Sequence, residues 1–321
     1  MSVPPLAPPL SRLRDAQSRI QPFLHRTPLW HSRVLSAMAG CQVYLKAELF
    51  QKTGSYKPRG MLWKLLNLTK AERQAGAITF SAGNAAQGLA YAAALTNTRA
   101  TVVMPAHASP VKAAATRAYG AEVILRGNAS ECLAHCLELS RERGLTFVSS
   151  YDDETLMEGH ASLGLELHED LPELTAIFVG IGGGGMMGGL AMALEATDST
   201  ARLIGVEPEG APAMHQSLQK GEAVTLAGVS TIADGLAAPG AGRLCFALAR
   251  RRLEKVVLVD DDRIVEAMRL LMARAKFMAE PAGAAALAGL LAGDHGLSAS
   301  QQIVVVVSGG NVDFDRLKGL L

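Results

Sequence analysis

Short apolar runs rich in β-branched residues alternate along this chain with longer segments rich in alanine and leucine. The run at 77–80 precedes a helix predicted over about 85–97, the run at 100–104 precedes one near 110–118, and the run at 122–125 precedes one near 129–143. Three such steps in close succession predict a compact unit of parallel strands. The alternation resumes with 175–179, a helix over about 186–196, 202–206 and 255–259. Helices over about 261–277 and 281–292 and a last strand at 303–307 follow. Ile303-Val304-Val305-Val306-Val307 is apolar at every position, as in a strand covered by helices on both faces. Asp261-Asp262 stands where it would cap the helix after Val259. The segment 222–240, rich in Gly, Ala and Pro, reads mostly as loop.

Composition narrows the function classes. With 321 residues and 49% hydrophobic content, the chain can bury a large core, and its length suits two domains. A formal net charge of +1, without a basic tail or stripe, argues against nucleic acid as a partner. Four cysteines (41, 132, 136 and 245) form no CxxC pair and are too few for a disulfide scaffold. The start of the chain, with Pro4-Pro5, Pro8-Pro9 and Arg12, Arg14 and Arg19, lacks the apolar stretch of a signal peptide. Other apolar stretches are broken by glycine or charge, so no membrane span is expected, and a soluble cytoplasmic protein is the default reading.

The candidate chemistry lies where strands end. Ser55-Tyr56-Lys57-Pro58-Arg59-Gly60 follows the run Val43-Tyr44-Leu45 and a polar turn, which places Lys57 just before a helix. A lysine there, as its neutral amine, can attack an aldehyde. Gly182-Gly183-Gly184-Gly185, between a predicted strand and helix, leaves backbone N–H groups uncovered for an anion such as phosphate. It has neither the Walker lysine nor a clean dinucleotide fingerprint. Ser81-Ala82-Gly83-Asn84 ends another strand, where Ser81 or Asn84 can cap the next helix or donate to a ligand. Ser308-Gly309-Gly310-Asn311 ends the last. Together these loops suggest an enzyme working through a Schiff base.

These stretches, with Thr231-Ile232-Ala233-Asp234-Gly235 and Glu280-Pro281, stand in the order found in fold type II pyridoxal-phosphate enzymes, and the chain resembles their serine/threonine dehydratase and serine racemase family. The resemblance implies an α/β fold of two open twisted parallel-sheet domains with the cofactor cleft between them. Residues 1–61 and 148–321 would form the large domain and 62–147 the small one. It implies that Lys57 carries pyridoxal 5'-phosphate as a Schiff base, that Asn84 contacts the ring oxygen, that Gly182, Gly183, Gly184 and Gly185 hold the phosphate, and that Ser308 meets the pyridine nitrogen. Ser81, Ala82, Asn84 and His160 would line the substrate side. The implied reaction is loss of water from L-serine, L-threonine or a related β-hydroxy amino acid, with Lys57 removing the Cα proton, to give a 2-oxo acid and ammonia. A homodimer is also implied.

Departures from the family pattern shape the alternatives. Racemising relatives carry a serine where this chain has Ala82, so a lyase is favoured over a racemase. Ala85 after the asparagine, and His160 where many relatives have glutamine, look like the mammalian-type serine dehydratases and leave 3-hydroxyaspartate or phenylserine open as substrates. Glu207 and the Ala211 carbonyl match the start of the family's cation site, but the later acidic ligand is replaced by Ala213. At most a structural K⁺ or Mg²⁺ is expected. Arg59 would bind phosphate or pair at the domain surface. The sequence runs only a short way past Asn311, so feedback control by a C-terminal domain is not expected. A non-catalytic α/β module that binds a phosphorylated ligand is the remaining alternative.

Overall fold

The computed structural model describes residues 8–293 and 295–321, so the Pro4-Pro5 part of the N-terminal reading lies outside the described residues. The strands are β1 (Leu29–His31), β2 (Gln42–Lys46), β3 (Ala77–Phe80), β4 (Ala100–Met104), β5 (Glu122–Leu125), β6 (Thr146–Phe147), β7 (Leu174–Gly180), β8 (Arg202–Pro208), β9 (Leu253–Val259) and β10 (Gln302–Val306). The helices are α1 (Leu10–Ile20), α2 (Arg33–Ala39), α3 (Lys57–Leu66), α4 (Lys70–Ala75), α5 (Asn84–Leu95), α6 (Pro110–Ala118) and α7 (Ala129–Glu142). They continue with α8 (Glu154–Asp170), α9 (Gly185–Ala196), α10 (Ala213–Lys220), α11 (Arg243–Arg252), α12 (Asp261–Leu270), α13 (Pro281–Leu291) and α14 (Phe314–Leu320).

Two sheets result. One has six strands in the order β1-β2-β10-β7-β8-β9, and the other four in the order β5-β4-β3-β6. The smaller is parallel throughout. In the larger, β1 pairs antiparallel with β2, so this sheet is mixed at one edge rather than wholly parallel.

The last strand is apolar throughout because both its faces are covered. Ile303, Val305 and Val307 face the core built with α12 and α13, while Val304 and Val306 face the one built with α8, α9 and α11. A third core joins α3 and α5 to β3 and β4, and Cys132 and Cys136 of α7 close the other face of the small sheet. The four cysteines are buried and unpaired.

Asp260, not Asp261, caps α12, accepting from the Arg263 N–H at 2.8 Å. Asp261 is drawn off by the Thr231 hydroxyl and the Ile232 N–H, which tie down the loop. The helix predicted to reach 277 leaves α geometry at Leu271–Ala275, a π-helical turn ended by Lys276 at φ +62°. Among the described residues, no helix is long and apolar enough to cross a membrane.

Candidate active site

The C-terminal ends of β2, β10 and β7, adjacent in one sheet, and of β3 in the other open toward one cleft. This is the edge where open α/β sheets collect ligands. After β2 the chain turns through Thr53 and Gly54, at φ +64° and +73°, and Gly54 lies so close to Asn311 that a Cβ there would come within 2.5 Å of its Oδ1. Ser55 then bridges to Gly309, and the Tyr56 N–H donates to the Ser308 carbonyl at 3.1 Å. Lys57 is the first residue of α3 itself, with Tyr56 at the cap position and Pro58 in the first turn. Its half-buried ammonium donates to the Ser150 carbonyl at 2.7 Å and lies 5.0 Å from the Tyr56 ring centroid.

The glycine run ends β7 and opens α9. Gly184 caps the helix at φ +104°, a conformation glycine adopts without strain, and a Cβ there would come within 2.6 Å of that of Cys245. The Tyr151 ring lies directly against Gly183, and its backbone against Gly185. The N–H groups of Gly182 to Met186 have no protein acceptor among the described residues. This cradle suits an anion.

Asn84 is the first residue of α5. Its Nδ2 donates to Glu280 at 2.5 Å and its Oδ1 accepts from Asn311 at 2.8 Å. The helix cap is therefore Gly83, without a side-chain bond, and the Ser81 hydroxyl instead accepts from the Gly83 N–H at 3.2 Å. Ala82 is exposed on that loop. Ser308 is buried, and its hydroxyl donates to the Ala282 carbonyl at 3.3 Å. Burial pushes the Glu280 carboxyl up, opposed by Lys112 and by the Asn84 bond.

Comparison with known proteins shows the family. The profile of the family described as "Pyridoxal-phosphate dependent enzyme" matches residues 20–309. An L-threonine ammonia-lyase of Thermotoga maritima is 37% identical over 314 residues, covering 97% of this chain and 78% of that protein. A catabolic L-threonine dehydratase of Staphylococcus aureus is 38% identical over 316 residues, covering 97% and 91%. Among solved structures, maize serine racemase superposes with a TM-score of 0.92 at 34% identity, covering 98% of this chain and 96% of that one. The chain belongs to the pyridoxal-phosphate-dependent enzymes of fold type II, in the threonine/serine dehydratase and racemase family.

Pyridoxal phosphate is thus the cofactor of this family member, and the cleft fits it. The cradle has free amides and is walled on one side by the Tyr151 ring, and the Ser55 hydroxyl, two residues before Lys57, is buried without a hydrogen-bond partner. Among the site loops, that hydroxyl is a donor a bound group can use.

Three sequence expectations are corrected. His160 does not line the open cleft. It is wholly buried where α8 packs on α3 and α9, against the backbones of Gly60 and Gly189 and the Tyr56 ring, with neither ring nitrogen hydrogen-bonded. Burial, helped by Lys57 and Arg59, keeps its pKa well below the usual histidine value. Arg59 faces neither the glycine cradle nor the surface. Two residues on from Lys57, it points to the other side of α3 and is buried between Glu48 and Glu166.

The expected cation site at Glu207 and Ala211 lacks a fitting donor set. The oxygens of Glu207 accept from the Met214 and His215 N–H groups, each at 2.8 Å, so this carboxylate serves the start of α10. The described residues contain no cluster of three metal-ligating side chains.

Sequence reasoning missed the segment from Ser149 to Asp152, which supplies the Lys57 acceptor and the wall against the cradle. Asp152 also collects the N–H groups of Arg243, Leu244 and Cys245 at the start of α11. Its signal was available. Ser-Ser-Tyr-Asp-Asp follows the small sheet's last strand as the other site loops follow theirs.

Proposed function

We propose that the protein is an ammonia-lyase that eliminates water from L-threonine, L-serine or a related β-hydroxy amino acid, the released enamine then tautomerising and taking up water to give a 2-oxo acid and ammonia. The observation that carries this reading is the half-buried Lys57 amine. It is fixed on the Ser150 carbonyl, one residue before Tyr151, whose ring walls the glycine cradle. The threonine ammonia-lyase and threonine dehydratase relatives support the same reading.

Bound pyridoxal phosphate supplies an aldehyde for attachment to an amine and a ring that withdraws electrons from the carbon losing its proton. Lys57 is assigned the attachment and, once the substrate amine has replaced it, removal of the Cα proton at Nζ. The Ser150 carbonyl orients that nitrogen. The amides of Gly182, Gly183, Gly184 and Gly185 are assigned the phosphate, with the positive end of α9 behind them. The neutral hydroxyl of Ser308 is assigned the pyridine nitrogen and Asn84 the ring oxygen. Ser81 and the unpartnered amides at the start of α5 are assigned the substrate carboxylate. Ala82 offers no dissociable proton, which favours elimination over racemisation.

Residues 62–147 are taken as the small domain and the rest as the large one, a division supported by β3 to β6 sharing one sheet, with α3 running across the first boundary. A cytoplasmic homodimer is the proposed working form. Four free thiols suit a reducing compartment, and Trp30, Val34 and Met38 expose an apolar face on β1 and α2 suited to a second copy.

The test is an assay of 2-oxo acid and ammonia release from L-threonine, L-serine, 3-hydroxyaspartate and phenylserine, with D-serine measured in the same reactions. Release from L-threonine or L-serine is expected. No 2-oxo acid from any of the four, or D-serine as the main product of L-serine, overturns the reading.

A further inference from the structure

Asn311, Asn84 and Glu280 form an unbroken side-chain chain from one sheet's loops to the other's. Asn311 Nδ2 donates to the Thr53 carbonyl at 2.7 Å and to Asn84 Oδ1 at 2.8 Å, and Asn84 Nδ2 donates to Glu280 Oε1 at 2.5 Å. The direction of this chain is fixed. Asn311 presents a donor to one end of the Asn84 amide and Glu280 an acceptor to the other, so Asn84 has one flip and one rotamer that satisfy both. An amide nitrogen carries two hydrogens. Glu280 takes one, and the other has no acceptor among the described residues.

Glu280 is not spent elsewhere. It occupies the cap position of α13 without making a capping bond, it is buried, and its Oε1 lies over Gly309 where no Cβ fits. A buried carboxyl with one side-chain partner is a costly arrangement for stability alone. The chain also spans a seam. Asn84 starts α5, which leaves the four-stranded sheet, whereas Asn311 and Glu280 belong to the six-stranded side. Ser109, the cap of α6, donates to Asp313 at 2.7 Å on the same seam.

We propose that Glu280 and Asn311 are positioning residues. They fix the Asn84 amide so that its second N–H is left for the cofactor's ring oxygen, and they tie the start of α5 to the large sheet's loops. The first half rests on the reading of the cleft given above, whereas the second needs neither cofactor nor turnover.

The test uses Glu280→Ala, Glu280→Gln, Asn311→Ala and Asn84→Ala, alone and combined, with two readouts: the dissociation constant for pyridoxal phosphate, and amide hydrogen exchange at 84–88 in the apoprotein. Glu280→Ala and Asn311→Ala are expected to weaken cofactor binding by about tenfold each. Glu280→Gln, which keeps an acceptor oxygen, should recover most of that loss. In an Asn84→Ala background neither substitution should weaken binding further, whereas exchange at 84–88 should already be faster in apo Asn311→Ala. Losses that add undiminished in the Asn84→Ala background, or single variants with unchanged affinity and exchange, overturn the proposal. A wild-type protein whose Asn311→Ala variant shows the faster exchange, but which releases no 2-oxo acid, overturns the enzymatic reading and supports the tie.

Discussion

Arg59 meets Glu48 side-on, its Nε and Nη2 donating to separate oxygens of that carboxylate at 2.8 and 2.9 Å in a region closed to water. Its Nη1 and Nη2 also reach Glu166, which accepts from the buried Lys46 ammonium at 2.7 Å, so two cations and two anions balance in the core. Burial pushes the Glu48 carboxyl up, but Arg59 and Lys46 overcome this and hold it below the usual range. Arg59→Met strips both acids of a partner. We expect it to destabilise the protein by about 3–5 kcal/mol in urea unfolding. A loss below about 1 kcal/mol, the range of exposed pairs, would refute this account of the cluster.

Lys57→Ala should abolish the visible absorbance of a cofactor–lysine linkage while free cofactor can still occupy the cradle. Elimination should fall by about a thousandfold or more. Borohydride reduction of the unaltered protein should fix the label on the peptide containing Lys57. Labelling of any other lysine would reassign the attachment.

Ala82→Ser restores a hydroxyl on the exposed loop before α5. D-serine formation from L-serine is expected to rise relative to 2-oxo acid in this variant. An unchanged ratio would show that residue 82 does not decide between the two outcomes.

Several of these features were legible in the sequence because they are local. The run from Ile303 to Val307 shows a doubly covered strand by itself, since five successive β-branched apolar residues admit little else, and the four glycines between a strand and a helix announce their cradle. What stayed hidden depends on partners far along the chain. Asp260 and Asp261 are equally good caps until Thr231 and Ile232 claim one of them. His160 becomes interior because Gly60 and Gly189 let two helices close on it, and Glu207 is engaged by a helix start that its own neighbourhood does not reveal.

Glu207 and His160 should act oppositely on the pH dependence of stability. Burial raises the Glu207 carboxyl from 4.5 to about 7, outweighing its two amide bonds. Between those values the native state keeps a proton that the unfolded chain has released, so stability falls as pH rises, by about 3 kcal/mol over the window. His160 is depressed below 6.5, so its contribution is present above that pH and is lost as pH falls toward its native value. Glu207→Gln should flatten the decline in Tm between pH 5 and 7, and His160→Gln the acid-side loss below 6.5. Slopes equal to those of the unaltered protein would show that these groups are not the source.

The backbone passes between the two sheets twice, once from β2 into α3 and once from β6 into α8. Lys57 stands on the first passage and Ser150 on the second, and a single hydrogen bond clasps them. The Lys57 nitrogen is therefore placed by both crossings at once, held on α3 by its own backbone and on the return strand's loop by the Ser150 carbonyl. The loop bearing Ala82 has no such tie through its own side chain and is exposed, so the clasp fixes the amine without fixing that loop.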